Sequence, residues 1–463
     1  MSSSSADPEL SAAEHGAMRE LRSLLCGAGY SQLYHHAAGG ALFAAERGRA
    51  FGAVRRLPSS ERAVLELLAL GEEVPAGEAS AQLRRAVGAL RGAGLVRDGG
   101  DRVATTGWVV VPTLRGYLIT GTPPHYATGE PVGARAYIGN DSLLLAAALP
   151  DARGTRVLDL GAGCGVQGLL AARGAAEAVL TDVDAFACKV SLLNTALNET
   201  PHPVRVLAGD LYEPVQGERF DLITMLPPYV PTVDGSATSG VAAGGPDGLG
   251  LIRRLVREAP AHLAPGGELV ALCQLLCSDE GPLLAAEIGA LCPSLDVRLS
   301  VTDWHPLQPY ALDLARRLSR HAAAADMSTL LARYLRSLRS LGVTGACTAH
   351  LRLRRGDGAG SVRVIGQAPA VRARSVPAPL PGLSLTGDVH AATATSTDGT
   401  QSFLSGPTAA LLAAVDGRRT IADIALAAWG TPEGAHPDDL CDQAIERFLE
   451  LERAELVILD AND

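Results

Sequence analysis

Three acidic residues follow one another in the middle of the sequence, each at or near the end of an apolar run: Asp159 in VLDLGAGCG, Asp182 in AVLTDVDAF and Asp210 in VLAGDLYEPV. Between the first two lies a glycine-rich turn, Gly161, Ala162, Gly163 and Gly165. Glycines let a backbone turn sharply and approach a ligand at the C-terminal edge of a strand, where open α/β sheets bind their ligands. Asp159 can orient that turn and hold a ligand ammonium, directly or through water. Asp182 can accept both hydroxyl protons of a ribose. Dinucleotide enzymes share these devices, because pyrophosphate also sits against glycine-rich turns at helix N-termini. The third position differs from theirs: Asp210 can accept from an adenine amino group while the Leu211 amide faces a ring nitrogen. Val183, beside Asp182, is counted with the same ligand-holding set.

A fourth run ends in FDLITMLPPYVP, and GGPDGLGLIRRLV follows at Gly244 to Val256. Together DLGAGCG, TDVD, GDLYEPV, LPPY and this last segment resemble the NPPY-type class I methyltransferases, which have a Rossmann-like fold. The likeness is nearest to the branch that methylates protein glutamines and to an actinobacterial group with an extra N-terminal domain. It spans about Gly121 to Arg355. The resemblance implies S-adenosylmethionine as cofactor and S-adenosylhomocysteine as product. It implies that Asp159, Gly161, Gly163 and Gly165 line the methionine end, Asp182 the ribose and Asp210 the adenine, with Ala162, Val183 and Leu211 among the cofactor-binding residues. Asn140, Asp141 and Ser142 precede the first strand, and Ser142 is expected at the cofactor carboxylate. Asp184 reads equally as a cofactor contact and as the N-cap of AFACKVSLLNTALN.

One position departs from the family pattern. Where the family has Asn, this sequence has Leu226, so the side-chain carbonyl that would accept a proton from a planar amide or exocyclic amine is missing. Glutamine amides and adenine amino groups become poorer candidates for the substrate, and an aliphatic amine a better one, because its lone pair is not delocalised. The catalytic set expected here is Leu226, Pro227, Pro228 and Tyr229, with the carbonyls of Leu226 and Pro227 as acceptors and Tyr229 as the substrate-side wall. His125, Tyr137 and His305 are further candidates for base or positioning roles.

These residues need strands and helices to hold them. Residues 155–300 alternate short apolar runs with helical stretches, the pattern of a parallel sheet with crossover helices. The core is placed at 136–300. Before it, 1–57 reads as amphipathic helices, broken at Gly27 to Gly29, and 58–135 as helix, helix and a hairpin over GLVRDGGDRVATTGWVVV, a winged-helix-like unit. After it, 301–370 reads as a helical stretch, Trp304 to Arg339, and a hairpin, Ala349 to Ile365. Pro377 to Pro381 mark a linker within 371–382. The last unit, 383–463, is small, α+β and winged-helix-like, with helices over GPTAALLAAVDG, TIADIALAAWG and DDLCDQAIERFLELERAE. It resembles the PqqD-like peptide-recognition elements of ribosomal-peptide biosynthesis, which bind a leader peptide as an added strand. A precursor peptide is thus the expected partner and its amine, a terminal amine of the daptide kind among the options, the expected nucleophile. An RNA methyltransferase, a methyltransferase for a protein or for a small-molecule hydroxyl or carboxylate, and a regulator that only senses the cofactor stay open.

The bulk properties narrow these options. The chain has 463 residues, 47% hydrophobic and 19% charged, which argues for several folded domains and against global disorder. A formal charge of −10 gives no general attraction to phosphate backbones. The eight cysteines show no CxxC pairing, so neither a metal site nor a disulfide framework is expected. Cys273 and Cys277 share an i,i+4 spacing that reads as helical. The first residues carry no signal-peptide pattern and no run spans a membrane, so a cytoplasmic protein is expected.

Overall fold

Ser11 opens the first helix with a reciprocal cap, its hydroxyl accepting from the Glu14 amide while the Glu14 carboxylate accepts from the Ser11 amide. In this computed structural model the described residues are 8–38, 54–75, 80–113, 116–121, 136–232, 244–319, 327–356, 360–365, 376–379, 384–387, 391–395, 401–416, 418–429, 444, 447–448 and 457–460. Helix α1 (Ala12–Gly27) is followed by α2 (Tyr30–Ala38), with the chain reversing at Gly29, φ +58°. Then come α3 (Ser59–Leu68), β1 (Val74–Pro75), α4 (Ala81–Gly92), β2 (Val96–Asp98) and β3 (Arg102–Thr105), with the strands in the order β1-β3-β2.

The hairpin expected across residues 94–111 is shorter than its sequence. Thr105 turns back on the next segment, its hydroxyl donating to the Trp108 carbonyl, and Gly107 takes φ +90°. The apolar WVVV run is therefore released into a second hairpin, β4 (Trp108–Thr113) with β5 (Gly116–Gly121).

The central sheet follows. Helix α5 (Asn140–Ala148) leads into β6 (Arg156–Leu160), α6 (Val166–Ala172), β7 (Glu177–Asp182), α7 (Ala185–Asn198), β8 (Val204–Ala208) and β9 (Phe220–Met225). Next are α8 (Gly250–His262), β10 (Leu263–Ser278), the short β11 (Gly281–Pro282), α9 (Leu283–Leu291), β12 (Leu295–Pro306), α10 (Leu307–Ser319), α11 (Met327–Ser340), β13 (Gly345–Arg355) and β14 (Val362–Ile365). The strand order is β8-β7-β6-β9-β10-β13-β12-β14. Strands β6 to β10 are parallel, and β13 runs antiparallel between β10 and β12. A dinucleotide-binding sheet is mostly parallel; here β13 runs antiparallel to the strands on both its sides.

Alternate residues bury opposite faces, as strands sandwiched between helix layers must. Leu158, Leu160 and Ile223 pack toward Ile252 and Leu255 of α8, whereas Val157, Leu222 and Val270 face the layer of Leu145, Leu169 and Leu193. The sheet continues past Ser300. Trp304, expected in a helix, lies in β12, and helix begins at Leu307. The expected hairpin of Ala349 to Ile365 does not form either: β13 and β14 flank β12, one antiparallel and one parallel to it. Cys273 and Cys277 sit on strand β10, four residues apart and buried on one face. The seven described cysteines are free thiols.

In the C-terminal unit β15 (Val376–Pro379) pairs antiparallel with β19 (Val457–Asp460), and β16 (Ser384–Gly387), β17 (Ala391–Thr395) and β18 (Gln401–Ser405) form a meander. Helices α12 (Gly406–Ala413) and α13 (Ile421–Trp429) follow β18; most of the third expected helix lies outside the described residues. The proline-rich stretch read as a linker thus contains a strand. Prolines two residues apart have their nitrogens on the same edge, which leaves the other edge of the strand with all its donors.

The N-terminal elements dock on α7. Lys189 Nζ lies 2.8 Å from the Glu14 carboxylate, and Arg22 donates to the Leu197 carbonyl at 2.9 Å. Burial raises the Glu14 pKa, but bonds from Lys189 and Ser11 outweigh it and hold the group below the usual range.

Candidate active site

The glycine turn sits between β6 and α6. Gly161, Gly163 and Gly165 have φ of +60°, +58° and +80°, conformations in which a side chain is strained. The turn is tied to its neighbours: the Gly163 amide donates to Asp182 Oδ2 at 2.9 Å, and the Gly168 amide to Asp159 Oδ2 at 2.8 Å. Asp182 also accepts from the Asp184 amide through Oδ1 at 2.8 Å.

Burial pushes the Asp159 carboxyl up to about 7, against the Gly168 amide, which lowers it, and with the charge of Asp182 adding to the rise. Burial likewise raises Asp182, opposed by the amides of Asp184 and Gly163. Both carboxylates are poised for a cation or hydroxyl donors that would repay their desolvation. In the register of the sheet Asp159 stands opposite Thr224 of β9, whose buried hydroxyl has no hydrogen-bond partner among the described residues.

Val183 is 77% exposed, an apolar side chain left in water at the end of β7. Leu211 adopts φ +49°, a strained conformation for leucine, and its carbonyl accepts from the Thr181 hydroxyl. The Asp210 carboxylate faces Arg254 of α8 at 3.0 Å, a partner that sequence reading did not supply. A buried carboxylate at Asp159, a half-buried one at Asp182, an exposed apolar side chain and a turn where a Cβ at Gly163 would meet only the Ala136 Cα, at 4.0 Å, fit a ligand with an ammonium, a ribose and an aromatic ring. S-adenosylmethionine has all three.

Other sequence candidates separate here. Asp184 caps α7, accepting from the Phe186 amide at 3.0 Å. Ser142 is buried and accepts from the Gly139 amide at 3.3 Å, closing the start of α5, where Asn140 is the first residue. Tyr137 is 40% exposed just before that helix. His305 is exposed on β12, level with Leu276 of β10 through Ala346, five residues beyond the point where β10 leaves β9 at Ala271. That position sets it apart from the glycine turn. His125 lies outside the described residues.

The loop after β9 carries Leu226, Pro227, Pro228 and Tyr229. Leu226 packs against the apolar layer of α5 to α7, and the Tyr229 hydroxyl donates to Asp141 at 2.9 Å. Its backbone is cradled by the glycine-rich segment before α8: Gly244 donates to the Val230 carbonyl, Thr232 donates to the Gly245 carbonyl, and a Cβ at Gly248 would overlap the Tyr229 carbonyl. The sequence showed Gly244 to Val256 as a motif without a task; its glycines let two backbones touch. Tyr334 of α11 donates to the Pro231 carbonyl at 3.4 Å, so the helix pair after β12 also rests on this loop.

Residues 130–279 match the methyltransferase small domain family. The chain is 32% identical over 145 residues to a Methanocaldococcus jannaschii protein described as a protein N5-glutamine methyltransferase, covering 72% of it and 30% of this chain. This chain belongs to the class I S-adenosylmethionine-dependent methyltransferases. The methyltransferase is also 40% identical over 125 residues to a release factor glutamine methyltransferase of Xylella fastidiosa, 25% of this chain and 45% of that one. It is 35% identical over 131 residues to a ribosomal protein uL3 glutamine methyltransferase of Bradyrhizobium diazoefficiens, 25% of this chain and 39% of that one. The methyltransferase therefore spans less than half the length of these two relatives. Among solved structures, a T. thermophilus 16S rRNA N2 G1207 methyltransferase in complex with AdoMet and guanosine aligns at TM-score 0.29 and 22% identity, over 51% of this chain and 65% of that one. Among the described residues no cluster of His, Cys, Asp or Glu could hold a metal ion, and no helix is long and apolar enough to cross a membrane.

Proposed function

We propose that this methyltransferase transfers the methyl group of S-adenosylmethionine to a nitrogen of a polypeptide, and that the nitrogen is an amine, foremost a terminal amine of a ribosomally made peptide. The observation that carries the reading is the pairing of the glycine turn, tied to Asp159 and Asp182, with the Leu226–Tyr229 loop, tied to Asp141. Relatives that act on protein glutamines support a polypeptide substrate. Leu226 supports an amine, since the side-chain acceptor that would assist a planar amide is absent.

Bound at the turn, S-adenosylmethionine supplies an electrophilic methyl on a sulfonium. Asp159 would balance the ammonium and Asp182 would hold the ribose. Alignment is the main contribution of the protein, because in-line displacement rewards orientation above all. Tyr229, fixed by Asp141 and by the Gly244–Gly248 cradle, walls the substrate side. The carbonyls of Leu226 and Pro227 can orient an N–H of the incoming amine, whose proton leaves to water.

The C-terminal unit is proposed to recruit the leader of the precursor. Its meander β16-β17-β18 has two outer strands that could accept an added strand, the mode in which main-chain bonds give affinity and side-chain pockets give specificity. Tethering raises the local concentration of the substrate end. The test is mass spectrometry after incubation with S-adenosylmethionine and matched peptides bearing either a free terminal amine or a blocked terminus with an internal glutamine. A one-methyl gain on the free amine alone is expected; methylation of the glutamine alone would overturn the amine reading.

A further inference from the structure

Helix α7 carries a buried polar stripe, Ser191, Asn194 and Asn198, where an apolar face would be the ordinary choice. A buried amide must be satisfied or it destabilises the fold. Asn194, 0% exposed, is satisfied by two different parts of the chain. Its Oδ1 accepts from the Ile119 amide at 2.6 Å and its Nδ2 donates to the Ile119 carbonyl at 2.7 Å, as a neighbouring strand would. The second Nδ2 hydrogen goes to the Cys164 carbonyl at 2.9 Å, inside the glycine turn.

One turn further, Asn198 repeats the pattern on Tyr117, with bonds of 3.0 and 2.7 Å, and sends its second hydrogen to the Asn194 carbonyl. The outer edge of β5 is thus paired by two side chains instead of a strand. A Cβ at Gly116 would overlap Asn198, so the glycine there admits the close approach. The other edge of β5 pairs with β4, and Ile119 lies opposite Val110.

The bonds run on into the ligand site. Ser191 donates to the Gly163 carbonyl at 3.0 Å, and the Gly163 amide donates to Asp182. A continuous path therefore joins Ile119 of the N-terminal unit, Asn194, the carbonyls of the glycine turn and the ribose-side carboxylate. If β5 left α7, Asn194 would lose two of its three bonds and its side chain would be free to rotate away from Cys164.

We infer that Asn194 is a positioning residue for the cofactor site, holding the Cys164 carbonyl in place while β5 is docked on α7, so that the N-terminal unit completes the cofactor site. This rests on the reading that the glycine turn holds S-adenosylmethionine. Its consequence is reciprocal: docking of β5 tightens cofactor binding, and the cofactor tightens docking of β5 by the same factor.

The probe is S-adenosylhomocysteine, followed by calorimetry on the full chain, with hydrogen exchange as the second readout. If the unaltered protein binds none, the cofactor reading itself fails. Given binding, Asn194→Ala should weaken it by about tenfold, the scale of one lost buried hydrogen bond. Asn198→Ala loosens the same docking without touching Cys164 and should weaken binding by only about twofold to threefold, at a similar loss of melting temperature. Losses of affinity that simply track the losses of melting temperature in the two variants would make Asn194 merely structural and overturn the inference. In the unaltered protein, S-adenosylhomocysteine should slow exchange of the Tyr117 and Ile119 amides. Exchange there indifferent to the ligand would overturn it as well, and needs no variant to fold.

Discussion

The Tyr229 hydroxyl donates to the Asp141 carboxylate at 2.9 Å, joining the loop after β9 to the start of α5 across 88 residues of sequence. The two segments flank the glycine turn, so this bond helps set the gap in which a nucleophile must meet the methyl group. Tyr229→Phe removes the donor and keeps the ring. It should lower kcat/KM for the peptide substrate by about tenfold, with S-adenosylhomocysteine affinity little changed. Asp141→Asn keeps an acceptor and should be milder; equal losses in both would point away from this bond.

Asp182 ties the turn and is proposed to accept the ribose hydroxyls. Its replacement by Ala removes a charged, desolvated acceptor, worth about 1.5–3 kcal/mol, or roughly tenfold to 150-fold in Kd. Calorimetry with S-adenosylhomocysteine measures this directly. Tight NAD binding, or affinity indifferent to the change, would defeat the cofactor assignment.

Asp159 makes binding depend on pH. With its pKa pushed up to about 7 by burial, the ligand-free carboxyl is largely neutral at pH 6, whereas the ligand ammonium favours the ionised form. Binding should tighten as pH rises from 6 to 8 and should release a proton, seen as a dependence of the calorimetric heat on the buffer. The sign for folding is the reverse. Because the folded pKa lies above the unfolded value of about 3.9, ionisation costs stability progressively as pH rises between the two, and fully above 7. Ligand-free Asp159→Asn should therefore melt higher than the unaltered protein at pH 8 and lose this advantage near pH 4.

Leu226→Asn restores the side-chain acceptor of the family pattern. Turnover on an amine substrate should not improve, since an aliphatic lone pair needs no such help. A gain on glutamine peptides alone is compatible with the proposal; a gain on the native substrate is not.

Ending the chain at Ile365 removes the C-terminal unit while leaving β14 and the glycine turn in place. Cofactor affinity should stay the same, and KM for a leader-bearing precursor should rise. A leader-free substrate at high concentration should be methylated equally by both forms. Unchanged kinetics on the full precursor would assign the unit to scaffolding.

The strand ends and turns of the candidate site were legible because their signals are local. An apolar run, a glycine turn and an acidic residue within a few positions determine where a strand ends and what lies at its tip, and Asp159, Asp182 and the Leu226–Tyr229 loop could be placed that way. What escaped depends on partners far away in sequence. Asn194 looks like an ordinary helix residue until Ile119, 75 positions earlier, is seen against it. Arg254 reaches Asp210 over 44 positions, and Gly248 has meaning only beside the Tyr229 carbonyl. Alternation placed residues 349–365 in strands but could not say that β12 lies between them. The WVVV run was read into the wrong hairpin because periodicity does not mark Gly116–Gly121 as its partner.

Lys189 is the only lysine in the sequence, and its ammonium lies against Glu14 in the seam between α7 and α1. An amine-directed acylating reagent thus meets a single side chain on the whole folded chain, and acylation requires that ammonium to leave Glu14 and give up its proton. The rate at which Lys189 is acylated becomes a chemical clock for the breaking of its ion pair with Glu14. It would be read by the mass of the peptide that carries Lys189, apart from the α-amine of the chain, and slowed by whatever holds the N-terminal helices in place.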